Sequence, residues 1–244
     1  VDASDTDTAT VAWGGIAIEI KATSPIGSYV TGSFTPTKDR LVLASIYNNI
    51  ATPGTPTLSG CNLTWTQEDT VTVGNFRLTI FRAMGSAPVA GVVTIDFGGT
   101  AQTAVRWAIS EFANVNTGGT DGSGAVLQSV TASGTSTTPL ATLAAFAATT
   151  NATYGAIGVA NVLGVAPGGG FTEIHDVAAT AGELETEWKS SADTTVDASV
   201  TSSAPTLSFA EGTYAGDGTI GKQIAMAFQP KLVVVKADSA TNGH

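Results

Sequence analysis

Glu183, Glu185 and Glu187 alternate along one strand-like run, and alternation on an extended chain sends all three carboxyls to the same face. Paired carboxylates are the apparatus of glycoside hydrolysis. Catalytic pairs usually come from facing elements across a cleft. Three acids on one strand instead suit the water-facing edge of a sheet, where charge also discourages edge-to-edge pairing. The expectation is therefore a solvated outer strand. Glu173 and His175 fall on one face of a regular strand and Asp176 on the other, again a solvated face. A hydrolytic triad needs a nucleophile beside an oriented histidine, yet no Gly-x-Ser-x-Gly elbow occurs, and His244 is the only other histidine. Cys61 has no basic residue within fifteen positions on either side, so it reads as a buried structural thiol rather than an activated one. No phosphate loop, dinucleotide fingerprint or His-Glu-x-x-His run is present. The residues point to no catalytic set and no cofactor, hence to a protein that is not an enzyme.

Asp2, Asp5 and Asp7 cluster near the start, and Asp121 and Asp217 stand in Gly-rich turns. Calcium takes such oxygens, but without EF-hand spacing the reading is turn formation and no metal. Trp65, Trp107 and Trp188 fall at strand positions and leave two readings open: packing on a sheet face, or a platform on which a sugar stacks. Aromatic residues make up only 7% of the chain, which weighs towards packing. Two sequons, at Asn62 and Asn151, matter only in a glycosylating host.

The elements that carry these residues read as strands. Ile16, Ile18 and Ile20 alternate with Ala17 and Glu19; Phe76, Leu78 and Ile80 alternate with Arg77 and Thr79; Val105, Trp107 and Ile109 with Arg106 and Ala108. Leu41 to Tyr47 reads as a strand buried on both faces, and Tyr154 to Val162 as an apolar strand of small residues. Arg82 falls on the apolar parity, where its strand leaves the core. Gly-rich turns such as Pro167-Gly168-Gly169-Gly170 separate the runs. Only Leu140 to Ala148 competes as a short helix or turn. The pattern is all-β: a single antiparallel β-sandwich of jelly-roll type with at most one short helix.

Composition sets the boundaries. In 244 residues there are 10 Lys and Arg against 20 Asp and Glu, a net charge of −10, which argues against nucleic acid as a partner. Charged residues are 12% of the chain, about half the usual ~25%. The longest charge-free stretch is too rich in Thr, Asn and Gly to insert in a membrane as a helix.

Cys61-Asn62-Leu63-Thr64-Trp65-Thr66, then Asn75 to Ala83, Gly91 to Phe97 and Trp107 to Val115, follow one another in an order that resembles the lectin-like or jelly-roll β-sandwich domains of phage virion proteins and bacterial surface proteins. The resemblance spans roughly residues 24 to 230 and brings no catalytic residue with it. It implies a structural subunit of an extracellular, virion or cell-surface assembly: a decoration protein, fibre or filament. The alternative is a carbohydrate-binding module using Trp or Tyr. Its partners would be copies of itself in an oligomer, lattice or filament, with a glycan as the other candidate.

The expected organisation is an N-terminal strand within residues 1–22, a sandwich over 23–230 and a C-terminal extension over 231–244. Ile16, Ile18 and Ile20 match the alternation of Ile224, Met226 and Phe228. Two half-buried strands of one sandwich would look this way. So would a first strand that pairs into a neighbouring subunit, and Ile16, Ile18 and Ile20 are then the assembly residues.

Overall fold

The computed structural model describes residues 27–146, 148, 150–179, 181–191, 193–201 and 206–212, together with 233–234 and 238–239. Every regular element among them is a strand, including Leu140–Thr142 where a helical turn competed. Four antiparallel sheets lie in layers.

The first half of the chain builds two of them. The outer sheet holds β1 (Ser28–Val30), β6 (Val93–Asp96) and β3 (Thr57–Gly60) in the order β1-β6-β3. The inner sheet holds β7 (Ala104–Phe112), β2 (Leu41–Asn49), β5 (Phe76–Ala83) and β4 (Thr66–Val73) in the order β7-β2-β5-β4. Two short late strands, β16 (Val233–Val234) and β17 (Asp238–Ser239), pair with the free side of β7.

The second half repeats the plan. Its outer sheet holds β9 (Leu140–Thr142), β14 (Thr195–Ser199) and β11 (Ala166–Pro167) in the order β9-β14-β11. Its inner sheet holds β15 (Thr206–Gly212), β10 (Thr153–Val159), β13 (Gly182–Lys189) and β12 (Thr172–Ala179), with β8 (Gln128–Gly134) beside β15. Strand for strand, β1 to β7 correspond to β9 to β15, visiting outer and inner sheets in the same sequence and the same neighbour order.

The likeness extends to single residues. Val73 and Phe76 close the β4–β5 hairpin across two residues, as Ala179 and Gly182 close β12–β13. Counting outwards from those turns, the edge-strand bulge falls at the same place in both hairpins, between Gln67 and Asp69 and between Glu173 and His175. On that register Ile46, which pairs with Thr79 and Trp107, corresponds to Ile157, which pairs with Glu185 and Ser208. The expected single sandwich is thus two sandwiches laid inner sheet to inner sheet, an arrangement that repeats the two-sheet packing rule twice in one chain.

Three cores follow. Between the first outer and inner sheets pack Val42, Ile46, Phe81, Val93, Ile95 and Trp107. Between the two inner sheets pack Leu43, Tyr47, Leu78, Phe112, Tyr154, Leu184 and Phe209. Between the second inner and outer sheets pack Ile157, Val159, Val165, Val196 and Ala210. The inner strands are therefore covered on both faces, which accounts for the two-sided apolar runs of Leu41 to Tyr47 and Tyr154 to Val159.

The central interface is built around a large residue opposite a small one. Tyr47 and Gly158 are counterparts in the two halves, since each pairs with the leucine two places after its hairpin turn, Leu78 and Leu184. A Cβ on Gly158 would stand 2.7 Å from the Tyr47 ring. The ring stacks on Phe76 at 6.0 Å between centroids, and its hydroxyl donates to the Val159 carbonyl at 3.1 Å. Beside it the Ser45 and Tyr154 hydroxyls share a buried hydrogen bond of 2.7 Å.

Candidate functional site

The glutamates of β13 do not face water. β13 lies between β12 and β10, and Glu183, Glu185 and Glu187 have no exposed surface. Their shared face points at the second outer sheet and the segment 160–170 that leads into it. Alternation correctly put the three on one face. It could not show that the face is roofed, because a second sheet supplied by the same chain covers it.

Each carboxyl has a different environment. Glu183 accepts three backbone amides, from Leu163 at 2.7 Å, Gly164 at 3.0 Å and Val165 at 3.0 Å. It fastens the segment between β10 and β11 by its donors, a use of a buried charge that satisfies both the anion and the loop. Glu187 accepts the Gly168 amide at 2.8 Å. Burial raises its pKa to about 7, with the nearby Asp197 and Asp193 adding to the rise and the Gly168 bond and Lys189 opposing it. Glu185 stands between them, and among the described residues neither of its oxygens has a hydrogen-bond partner. Burial first, then the charges of Glu187, Glu173, Asp176 and Glu183, holds its carboxyl well above the ordinary range.

Asp176 pairs with Glu185 across the strands. Its pKa is pushed up to about 7 by burial, by a side-chain hydrogen bond with Glu183 and by the charges of Glu183 and Glu173. On the outward side Lys189 bridges Asp193 at 2.6 Å and donates to the Gly169 carbonyl at 3.1 Å. Across the central core the buried Arg106 donates to the Ala179 carbonyl at 2.7 Å and is attracted by Glu183.

His175 does not share a face with Glu173. The bulge between them adds a residue, so Glu173 pairs with Glu187 and His175 with Thr186, and the imidazole turns into the molecule. Burial lowers its pKa and Nε2 has no partner among the described residues. Nothing in sequence distinguishes a bulged strand from a regular one here. Cys61 is the buried thiol expected. It sits in the first core at φ 58° within a tight turn, its Sγ 3.8 Å from the Val92 carbonyl, and burial pushes its pKa up.

The tryptophans sit against the cores. Trp107 is 2% exposed inside the first core and offers no surface to a sugar. Trp65 packs half-buried on the same core with its indole nitrogen donating to Gly60, and Trp188 packs half-buried on the central core. Of the sequons, Asn62 is exposed and Asn151 is buried. Asp121 occupies a left-handed turn position at φ 51° before Gly122. Among the described residues no group of three or more His, Cys, Asp or Glu could hold a metal ion. Asp2, Asp5, Asp7, Asp217, Ile16, Ile18 and Ile20 lie outside the described residues. No helix among the described residues is long and apolar enough to cross a membrane.

A groove of about 180 Å³ runs between β8, β9 and β15, lined by Ser133, Ser136, Thr138, Leu140, Thr206 and Ser208. It is hydroxyl-rich, has no ionisable side chain in its lining and does not reach the glutamates. The chemistry of the acidic face is thus internal: one carboxyl holding a loop, one shared between a loop and its neighbours, and between them one whose proton is held by burial and neighbouring charge. Glycoside hydrolysis needs two carboxyls flanking a space that admits a sugar, and this face is closed by protein. Comparison with known proteins finds no matching family model, no matching curated protein and no matching solved structure.

Proposed function

We propose that the protein is a non-enzymatic structural subunit of an extracellular or virion-surface assembly, such as a decoration protein, fibre or surface filament. The observation that carries this reading is the use made of Glu183 and Glu187. The sequence's best candidates for acid–base chemistry are spent on backbone amides inside the fold. The three-core stack supports it further, because the inner sheets are covered on both faces in a chain of which only 12% is charged. Within the proposal each half is a jelly-roll-type sandwich whose strands, apart from the β4–β5 and β12–β13 hairpins, pass in turn between its two sheets, and the partners are further copies of the chain.

Carbohydrate binding is the second reading. Trp65 and Trp188, each half-buried, are the residues it would use; Trp107 is too deep. A glycan panel probed with the full chain separates the two. The structural reading expects no saturable binding, and none that Trp65→Ala or Trp188→Ala removes. Saturable binding lost in either variant, with the near-ultraviolet dichroism of the fold retained, would establish the second.

A further inference from the structure

Three long strands end the inner sheets, and one of them differs from the other two. β4 and β12 are bulged edges that carry acids, Glu68 and Asp69 on the first and Glu173 and Asp176 on the second. β8 runs in unbroken register beside β15, from Gln128 opposite Gly212 to Gly134 opposite Thr206, and no strand pairs with its other side among the described residues. Its seven residues include no charge and no proline. The edge strands of the outer sheets are only two to four residues long. Bulges, charges and shortness are what keep a sheet edge from pairing with another chain, and β8 has none of the three.

We propose that β8 docks against the β8 of a second copy, the two strands running antiparallel about a two-fold axis at Thr131. The contact deepens, and rests on, the reading of the chain as an assembly subunit. The strand is complementary to itself. From either end, Ser129-Val130-Thr131-Ala132-Ser133 reads hydroxyl, apolar, hydroxyl, apolar, hydroxyl. With Thr131 opposite its own mate, Val130 falls opposite Ala132 of the second copy and Ser129 opposite Ser133. A two-fold contact requires this reciprocity, because residue i meets j wherever j meets i.

The two faces of β8 suit the pairing. Val130 and Ala132 pack against the third core, so their pairing carries that core across the axis. Ser129, Thr131 and Ser133 share the other face, and Thr and Ser are favourable cross-strand neighbours of one another. Two copies of a chain with a net charge of −10 repel, and β8 lets them meet with no charge set against charge on the paired strands. Self-pairing of β4 or β12 would bring carboxyls together. Asp69, the acid that β8 touches, is engaged within the chain, accepting from the Ser129 hydroxyl at 3.3 Å and the Thr70 amide at 2.8 Å. Gln128 is engaged too, its side-chain amide bonded both ways to the Ala144 backbone at 3.1 Å, and the axis falls beyond it, at Thr131. The pairing joins the two five-stranded sheets into one and gives a row of backbone donors and acceptors their partners.

Disulfide trapping on the full chain tests this. Cys61→Ala/Thr131→Cys should oxidise to a linked dimer, since residues directly opposite on antiparallel strands stand within disulfide reach. Cys61→Ala/Ser133→Cys should stay unlinked, because its two thiols would lie four residues apart along the strands, about 13 Å. Equal linking of both variants, or of neither, would overturn the proposal. In sedimentation velocity, Thr131→Lys should weaken self-association about tenfold or more, since it sets like charges directly opposite each other, and Thr131→Ser should leave it unchanged. Association undiminished in Thr131→Lys would overturn the β8 contact and leave the assembly reading standing. A wild-type chain that is monomeric at every concentration would overturn both.

Discussion

Arg77 and Glu183 hold the same place in the two halves of the molecule, each the first residue after its hairpin closes, and each fastens the same loop with opposite charge. Arg77 donates to the Pro53 carbonyl at 3.1 Å and to the Thr55 hydroxyl at 2.7 Å, in the connection from β2 to β3. Glu183 accepts the amides of Leu163, Gly164 and Val165 in the connection from β10 to β11. A loop can be gripped by its carbonyls or by its amides, and the chain does one in each half. The acidity of β13 therefore has a structural origin in the repeat.

Removing the grip should be costly. Glu183→Ala leaves three amides without their acceptor, and buried donors left unsatisfied cost about 1–3 kcal/mol each before relaxation. The expected loss is about 3–5 kcal/mol in urea unfolding. Arg77→Ala should cost less, about 1–2 kcal/mol, since its loop residue Thr55 is exposed and water can replace the bonds. Equal small losses would mean that Glu183 is not holding the segment.

The raised carboxyls set a pH dependence of definite sign. Glu187 in the folded protein titrates near 7, above its ordinary value of 4.5, and Glu185 is also raised. As pH climbs through the range between the unfolded and folded values, the unfolded chain releases protons that the folded chain keeps, so stability falls. Stability should be greater at pH 5 than at pH 8, with Glu187 alone contributing up to about 3 kcal/mol. Glu185→Gln keeps the shape and removes one acid. It should stabilise the protein at pH 8, have little effect at pH 4.5 and flatten the profile between. Urea midpoints taken across this range check it, and a wild-type profile that rises towards pH 8 would refute it.

Gly158→Ala should strain the central interface, since the new methyl meets the Tyr47 ring. Overpacking of this kind costs about 1–3 kcal/mol. Tyr47→Ala is destabilising by itself, but the double variant should be more stable than the sum of the two losses implies. A double-mutant cycle gives the coupling directly, and strict additivity would deny the contact.

No Lys or Arg occurs from Trp107 through Trp188, so proteolysis there must use an enzyme selective for aromatic residues. Phe112 and Tyr154 are buried in the central core, and cleavage requires opening of that core. Chymotrypsin under native conditions should leave residues 104–200 intact for hours. Rapid cleavage at either residue would show that the two sandwiches separate readily.

Much of the strand content was legible because alternation and two-sided apolar runs record burial directly. Leu41 to Tyr47 reads as covered on both faces and is. Arg82 reads as leaving the core, but its side chain is only 14% exposed and Ala83 beyond it is buried; the charge is kept inside by pairing with Glu68, the bulged residue of β4. The glutamates of β13 misled because alternating acids look the same whether they face water or the amides of a covering loop. The second sandwich was hidden because corresponding positions share burial rather than identity: Tyr47 answers Gly158, and Arg77 answers Glu183. His175 was assigned to the wrong face by a bulge that leaves no mark in composition.

Sedimentation velocity of the full chain over a wide concentration range, with electron microscopy of the fastest fraction, tests the central claim most directly. A structural subunit of a surface assembly should associate into regular oligomers or filaments that grow with concentration and persist in salt. A chain that stays monomeric at every concentration, while turning over or saturably binding a polysaccharide, would contradict it.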